Sequence, residues 1–234
     1  MPVALLGHTA AAHRSRPRLV QAAASAKGVG SVTQSVVMDH PITDGNALIL
    51  LVAAPLNYGN HVEISGDRTK PVWLMGLSTD QWQVDYYRAY EAVNAGTALT
   101  LTYRKSDAET IAQVSEWTGL GPSTVNEADF GGAYNVQAGR SSIADTGAAT
   151  AYYLPSQGGL CLGHCLRRAQ SAPATGPTNG WSPLLETVGA GEFQLSSAYN
   201  VQVNAAVVPH STQWTLAFPT TWSAGFLMLR SARR

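Results

Sequence analysis

The sequence has little charge, almost no cysteine and none of the residue patterns that mark an enzyme. Of its 234 residues, 13% are charged, which is about half the share of roughly 25% in soluble domains. The 15 basic and 15 acidic residues balance, so no overall field attracts nucleic acid or acidic ligands. A surface with few charges suits contacts with other proteins, because charged residues are depleted in interface cores.

Only two cysteines are present, and both lie in the segment CLGHC as Cys161 and Cys165. Their spacing along a strand does not favour a disulfide. His164 lies between them, but strand alternation places it on the opposite face from both thiols. Zinc takes four ligands, usually as two pairs, and the other histidines are scattered. We therefore interpret the cysteines as core residues and expect no metal and no cofactor.

Catalytic signatures are also missing. The sequence contains no G-x-S-x-G elbow, no Walker loop, no G-x-G-x-x-G and no H-E-x-x-H. Asp85, Glu109 and Glu116 are candidate carboxylates for glycoside hydrolysis, which needs two of them to converge in a cleft. Nothing in the sequence brings them together. We predict that the protein is not an enzyme, and a glycan hydrolase of jelly-roll type is the third-ranked hypothesis.

Long apolar runs are absent as well. The longest, ALILLVAAPL at 47–56, is too short to span a bilayer and is typical of a buried strand. In WQVDYYRAYEA and ALTLTYR, apolar residues alternate with polar ones, which predicts antiparallel strands with one face on a core and one in water. Dense turn signals between such segments favour a sandwich or barrel. The segment SDAETIAQVSEW also fits a helix, with Ser106 and Glu109 as a capping box.

Two stretches of the chain resemble each other, which indicates a duplication. The matched pairs are 47–54 with 160–166, Trp73 with Trp181, Trp82 with Phe193, 99–103 with 214–218, and 111–117 with 224–230. A sheet with one apolar face cannot stand alone in water, so two such units bury their faces against each other. The sequence predicts an all-β, antiparallel, jelly-roll-like sandwich of about eight strands. Its first repeat spans 31–120 and its second 121–234, with two separate lobes as the alternative.

Residues 1–30 differ from the rest because Arg14, Arg16, Arg18 and Lys27 have no acidic residue among them, whereas the remaining residues include 11 basic and 15 acidic ones. We predict a basic strand or arm whose three arginines dock on a neighbouring subunit; a solvated tail is the alternative. The apolar run of this segment precedes its basic run, the reverse of a signal peptide. We therefore expect no signal peptide.

Six tryptophans are candidates for stacking on sugars. Trp73, Trp82, Trp181 and Trp214 fall at repeat-related or core-facing positions, which predicts packing in the core. Trp222, in the loop-like segment FPTTWSAG, is the one that we expect to be exposed. A carbohydrate-binding module that contacts glycans through Trp222 is the second-ranked hypothesis.

The first repeat resembles the recurring β-sandwich domain of bacteriophage virion proteins, through ITDGNALILLVAA, Trp73, VDYYRAYEAVNAGTALTLTY and VSEWTGL. The second repeat matches the same pattern with GGLCL, TNGWSPL, SSAYNV, STQWTLAF and AGFLML. The resemblance covers roughly residues 31–232. The chain departs from the family by having Asp44-Gly45-Asn46 where Gly-Asp is usual.

This resemblance implies a structural protein of the phage particle, made in the host cytoplasm: a minor tail protein, a head decoration or the base of a fibre. The implied partners are other virion proteins and further copies of the chain. Under the second hypothesis, a host-surface glycan is a further partner. We expect no membrane partner and do not favour nucleic acid.

Overall fold

Every regular element in the described part of the chain is a β-strand. The structure is a computed structural model that describes residues 16–56, 62–65, 71–78, 82–89, 96–104, 107–120, 130–148, 159–169, 172–191, 193–202 and 211–230. The strands are β1 (Arg18–Lys27), β2 (Thr33–Val37), β3 (Ala47–Pro55), β4 (Val62–Ser65), β5 (Pro71–Ser78), β6 (Trp82–Ala89), β7 (Ala98–Tyr103), β8 (Thr110–Thr118), β9 (Phe130–Asp145), β10 (Gly159–Arg168), β11 (Ser182–Val188), β12 (Phe193–Gln202) and β13 (Gln213–Arg230). Among these residues, no helix is long and apolar enough to cross a membrane.

The strands form three antiparallel sheets. The first large sheet has the order β1-β8-β3-β6-β5, the second large sheet β11-β12-β10-β13-β9, and the small sheet β2-β7-β4. The predicted class, an all-β antiparallel sandwich of two repeated halves, is confirmed. The described residues form thirteen strands rather than about eight, because each half builds more than one layer.

The two large sheets repeat one strand order. β3 and β10 lie at their centres, β6 and β12 on one side, β8 and β13 on the other, and the outermost strands correspond as β1 with β9 and β5 with β11. Across the interface between the sheets, β1 contacts β11 and β5 contacts β9. The two halves are therefore related by a pseudo-two-fold axis, as the subunits of a symmetric dimer are.

The second half joins segments that are separate strands in the first half. The end of β9 pairs with the start of β13, from Ile143–Thr215 to Asp145–Gln213, as β2 pairs with β7. An isolated bridge between Thr175 and Thr215 takes the place of the pairing between β4 and β7. Each half thus has a large sheet with a smaller β layer on its outer face.

Three apolar clusters fill the spaces between these layers. The central cluster lies between the two large sheets, the first-half cluster between the first large sheet and the small sheet, and the second-half cluster on the outer face of the second large sheet. Representative members of the central cluster are Ile49, Val84, Ile111, Leu162, Leu195 and Leu229. Both halves contribute to it, so each closes the other's core.

The large sheets have no hydrated face near their centres, which corrects the expectation from sequence alternation. β3 and β8 are buried along nearly their whole length, and Asp85, Arg88 and Glu116 are buried among their neighbours. The physical reason is the extra outer layer, which covers the face that alternation assigned to water. The alternation itself holds, since Ile111 packs in the central cluster and Val114 in the first-half cluster.

The helix considered for SDAETIAQVSEW is not formed over residues 107–117, and the predicted cap Ser106 lies outside the described residues. Residues 110–118 are β8, which pairs with β1 on one side and β3 on the other. A strand places Ile111 and Trp117 on the central cluster and Ala112 and Val114 on the outer one. Burial on two opposite faces therefore overrides the local capping signal.

Candidate functional site

The arginines predicted to dock on a neighbour lie at the first strand. Arg14 is outside the described residues, whereas Arg16 and Arg18 are exposed. Residues 18–27 form β1 and pair with β8, so this part of the predicted arm belongs to the first large sheet. A Cβ on Gly119 would lie 2.4 Å from the Arg16 carbonyl oxygen, so the chain before β1 also packs closely on its own sheet. Docking by Arg16 and Arg18 stays a prediction.

Trp222 is buried, and the expectation that it is exposed is wrong. Its side chain is 6% exposed, and its indole N–H donates a hydrogen bond to Ser141 Oγ at 3.0 Å. The reason is that β13 runs unbroken through the segment interpreted as a loop, with Trp222 in the second-half cluster. The prediction for Trp73 is wrong in the opposite direction. It was expected in the core, but it is 49% exposed on the outermost strand β5.

The three candidate catalytic carboxylates are engaged by three different segments. Glu116 accepts hydrogen bonds from the Thr43 backbone N–H at 2.9 Å and from the side chains of Asn46 and Gln21. Glu109 accepts one from the Gly191 backbone N–H at 3.1 Å. Glu116 thus ties the loop before β3 to β1 and β8, and Glu109 holds the turn between β11 and β12 on the first half.

The third carboxylate, Asp85 on β6, lies beneath the exposed Trp73. Its Oδ1 accepts hydrogen bonds from Trp73 Nε1 at 3.1 Å and Gln83 Nε2 at 2.7 Å. Burial raises the pKa of Asp85, and these two hydrogen bonds oppose that rise. Gly76 stands opposite on β5, where a Cβ would lie 2.6 Å from Asp85 Oδ1. A larger residue at this position would therefore displace the carboxylate from its present place.

The second half holds a similar group around the buried Arg167. Arg167 Nη2 donates to Glu186 Oε1 at 2.7 Å, and Nη1 donates to Ser196 Oγ at 2.7 Å. Gln194 Nε2 donates to the same Glu186 oxygen at 2.6 Å. The side chain of Arg167 is fully buried, whereas that of Glu186 is 29% exposed. This ion pair is therefore anchored inside the domain and reaches the surface through Glu186.

These two groups occupy the same position in the two sheets. Each lies beside a β-bulge, between Trp73 and Met75 in β5 and between Pro183 and Leu185 in β11. Beyond the bulge, Gly76 pairs with Asp85 and Glu186 pairs with Ser196. The carboxylate of the first half, Asp85, is on β6, whereas that of the second half, Glu186, is on the outermost strand β11. Pro183 rather than Trp181 takes the position of Trp73.

A pocket of about 120 Å³ adjoins the second-half group. Its lining includes Pro183, Glu186, Ser196, Gly176 and Trp214. Both hydrogen bonds that Glu186 accepts within the described part of the chain use Oε1, so its other oxygen, Oε2, is available to a ligand. Arg167 is not itself a lining residue, but it donates hydrogen bonds to the lining residues Glu186 and Ser196. This pocket therefore combines an apolar wall with polar groups that are only partly satisfied.

A polar pair joins the two halves inside the central layer. The Tyr86 hydroxyl and His164 Nδ1 are 2.7 Å apart and fully buried, and His164 Nε2 has no partner in the described residues. Burial lowers the pKa of His164 to about 3 and raises that of Tyr86. Gln113 adds a second link by donating to the Leu195 carbonyl oxygen at 3.0 Å. These contacts fix how one large sheet sits on the other.

Cys161 and Cys165 lie in the second-half cluster, and His164 points to the other side of the sheet, as predicted. Both thiols are free, and burial raises the pKa of each to about 12. Among the residues that the structure describes, no three His, Cys, Asp or Glu side chains gather in a way that could hold a metal ion.

We expect both thiols to resist alkylation while the protein is folded, because only the thiolate reacts and a buried thiol stays protonated. Mass spectrometry after iodoacetamide treatment at neutral pH should find neither Cys161 nor Cys165 modified. The same treatment in denaturant is the control and should modify both. Rapid modification in native buffer would contradict the burial of this cluster.

The fold and these sites define an all-β protein of two sandwich-like halves packed through their large sheets. No protein-family model matches the chain, and no curated protein matches it either. A comparison with solved structures finds a chain titled "Cucumber Leaf Spot Virus", which is 11% identical over 99% of this chain and 98% of that chain. The TM-score of 0.22 is too low to support an argument about fold or function.

Proposed function

We propose that the protein is a non-enzymatic structural component of a phage particle that docks on neighbouring subunits through its β edges. The observation that carries this proposal is the duplicated large sheet, whose two copies share one strand order. It supports the resemblance of both halves of the sequence to the β-sandwich domain of virion proteins. The low content of charge, 13% of residues, fits a surface that is largely contacted by other subunits.

The edge formed by β1 is the docking surface that we favour. β1 pairs with β8 on one side and has no strand partner on the other within the described residues. Its residues 19–26 include no charged side chain, although exposed edge strands usually carry charges that prevent pairing with other chains. Val20 on β1 is 47% exposed, and Val188 on the neighbouring β11 is 56% exposed. Arg16 and Arg18 lie at the start of this edge and attract an acidic partner.

The Val20→Lys substitution should reduce incorporation of the protein into particles by at least tenfold, because a charge at a docking edge has to lose its water on binding. Quantitative mass spectrometry of purified particles, complemented with the variant, measures this. Val37→Lys is the matched control, since Val37 is 61% exposed on β2 of the small sheet. It should be incorporated normally. Equal incorporation of both variants would rule out β1 as the docking edge.

Carbohydrate binding is the second candidate function, but Trp222 no longer supports it. Trp222 is buried and offers no face to a sugar. The half-exposed Trp73 above Asp85 and the pocket beside Glu186 are the observations that favour this candidate.

A further inference from the structure

The pocket in the second half has the construction of a binding site. A charged side chain, Arg167, is fully buried and donates hydrogen bonds to two of the lining residues, Glu186 and Ser196. An ion pair in the interior stabilises little compared with apolar residues of the same shape, so packing alone does not explain why Arg167 and Glu186 are there. The corresponding position of the first half shows that the fold does not need them, because Ala54 stands where Arg167 stands and Gly76 where Glu186 stands.

The polar groups of the pocket are positioned but not saturated. Arg167 and Gln194 hold Glu186 through one oxygen, which fixes the carboxylate and leaves Oε2 available. Ser196 Oγ accepts from Arg167 and keeps its own proton to donate. A ligand therefore meets an acceptor and a donor from residues directly opposite each other on β11 and β12.

The apolar lining sets the shape of the ligand. Trp214 and Pro183 line the pocket on the side of β13 and β11. The volume of about 120 Å³ approaches the roughly 150 Å³ that admits a benzene ring. A pocket of this size takes one edge of a six-membered ring, with the apolar face of the ring on these side chains and its hydroxyls on Glu186 and Ser196.

The charge of the site favours a neutral ligand. The positive charge of Arg167 lies 2.7 Å from the negative charge of Glu186, so the pair presents no net charge to a ligand. A cation has to compete with Arg167 for the carboxylate, and an anion is repelled by Glu186. Hydroxyl groups can both donate to Glu186 and accept from Ser196, which neither type of ion does.

We infer that this pocket binds one unit of a neutral sugar through Glu186, Ser196 and the wall that includes Trp214. The inference does not depend on the virion role: a cytosolic or secreted protein with the same pocket would bind the same ligand. A single sugar unit buries little surface, so its dissociation constant should be on the order of 1 mM.

Nuclear magnetic resonance titration of the full chain with glucose, galactose, N-acetylglucosamine and rhamnose is the test. At least one sugar should shift the backbone signals of Glu186 and Ser196 and the indole signal of Trp214. Glu186→Gln should weaken binding by at least tenfold. Ala174→Phe should do the same by filling the pocket, where Ala174 is a lining residue outside the ion pair. Thermal melting of both variants verifies that they are folded. If Glu186→Gln does not fold, the result for Ala174→Phe decides the test.

Asp39→Asn is the matched control, because it makes the same carboxylate-to-amide change at an exposed residue that does not line the pocket. Binding at the pocket should be unchanged in it. The inference is overturned if no sugar shifts these signals at about 50 mM. It is also overturned if the shifts centre on Trp73 and disappear in Trp73→Ala, or if n-butylammonium shifts the pocket signals more than any sugar does.

Discussion

Separated halves of this protein should fail to form stable monomers. Cutting the chain between β8 and β9 gives fragments 1–120 and 121–234 and exposes the central cluster on both. The second half alone contributes seven buried side chains, all Leu or Phe: Leu160, Leu162, Leu166, Phe193, Leu195, Leu227 and Leu229. At about 1.5–3 kcal/mol for each buried side chain, their exposure costs roughly 10 kcal/mol or more, which equals the whole stability of a typical domain.

Light scattering and circular dichroism of each purified fragment are the measurements. We expect self-association or loss of a cooperative melting transition in each fragment, and a one-to-one complex with native-like spectra when both are produced together. The pseudo-two-fold relation provides the reason, because each large sheet is built to receive a sheet of the same topology. A monomeric fragment 1–120 that melts cooperatively would show that the first half needs only its own small sheet.

The second large effect is a loss of stability in acid through His164. Its folded pKa is about 3, compared with 6.5 as the ordinary value. The unfolded chain therefore binds one more proton than the folded chain between these two pH values, and stability falls as the pH falls through this window. The expected loss is on the order of 4 kcal/mol by pH 3, and above about pH 7 this contribution is constant.

Urea denaturation from pH 3 to 8 measures the effect, and the double variant Tyr86→Phe/His164→Leu isolates it. Leucine is chosen because Leu51 occupies the position of the first half that is equivalent to His164. Leu51 pairs with Gln113 on β8, as His164 pairs with Gly225 on β13. The pKa of Asp85 is raised, so the stability that this group contributes is lost as the pH rises, which is the direction opposite to that of His164. Because both proteins contain Asp85, comparison with the double variant removes its effect. Parallel stability curves for the two proteins would contradict the burial of His164.

Much of the fold follows from residue order alone. The alternation in residues 82–92 and 98–104 predicted antiparallel strands, and β6 and β7 are these strands. The pairs matched between the repeats predicted which strands correspond, and β3 with β10 and β6 with β12 take equivalent places. The same rule of alternation placed His164 opposite Cys161 and Cys165.

Most of the candidate site could not be predicted from the sequence. No signal in the sequence ties Arg167 to Glu186, because they are on different strands, with β12 between them, and meet only in the assembled sheet. The two β-bulges also shift the register of β5 and β11, so counting along the chain paired Trp73 with Trp181 instead of Pro183. Glu109 and Asp85 were visible as candidate carboxylates, but their partners come from distant segments.

The sequence by itself determined the strands, their antiparallel sandwich and the duplication, since period two and repeated spacing are properties of neighbouring residues. Only the tertiary structure decided that a second layer covers each large sheet, that Trp73 is exposed and Trp222 buried, and that a carboxylate and an arginine meet at a pocket. The physical reason is that alternation states which side chains share a face, whereas burial and pairing depend on what the rest of the chain places against that face.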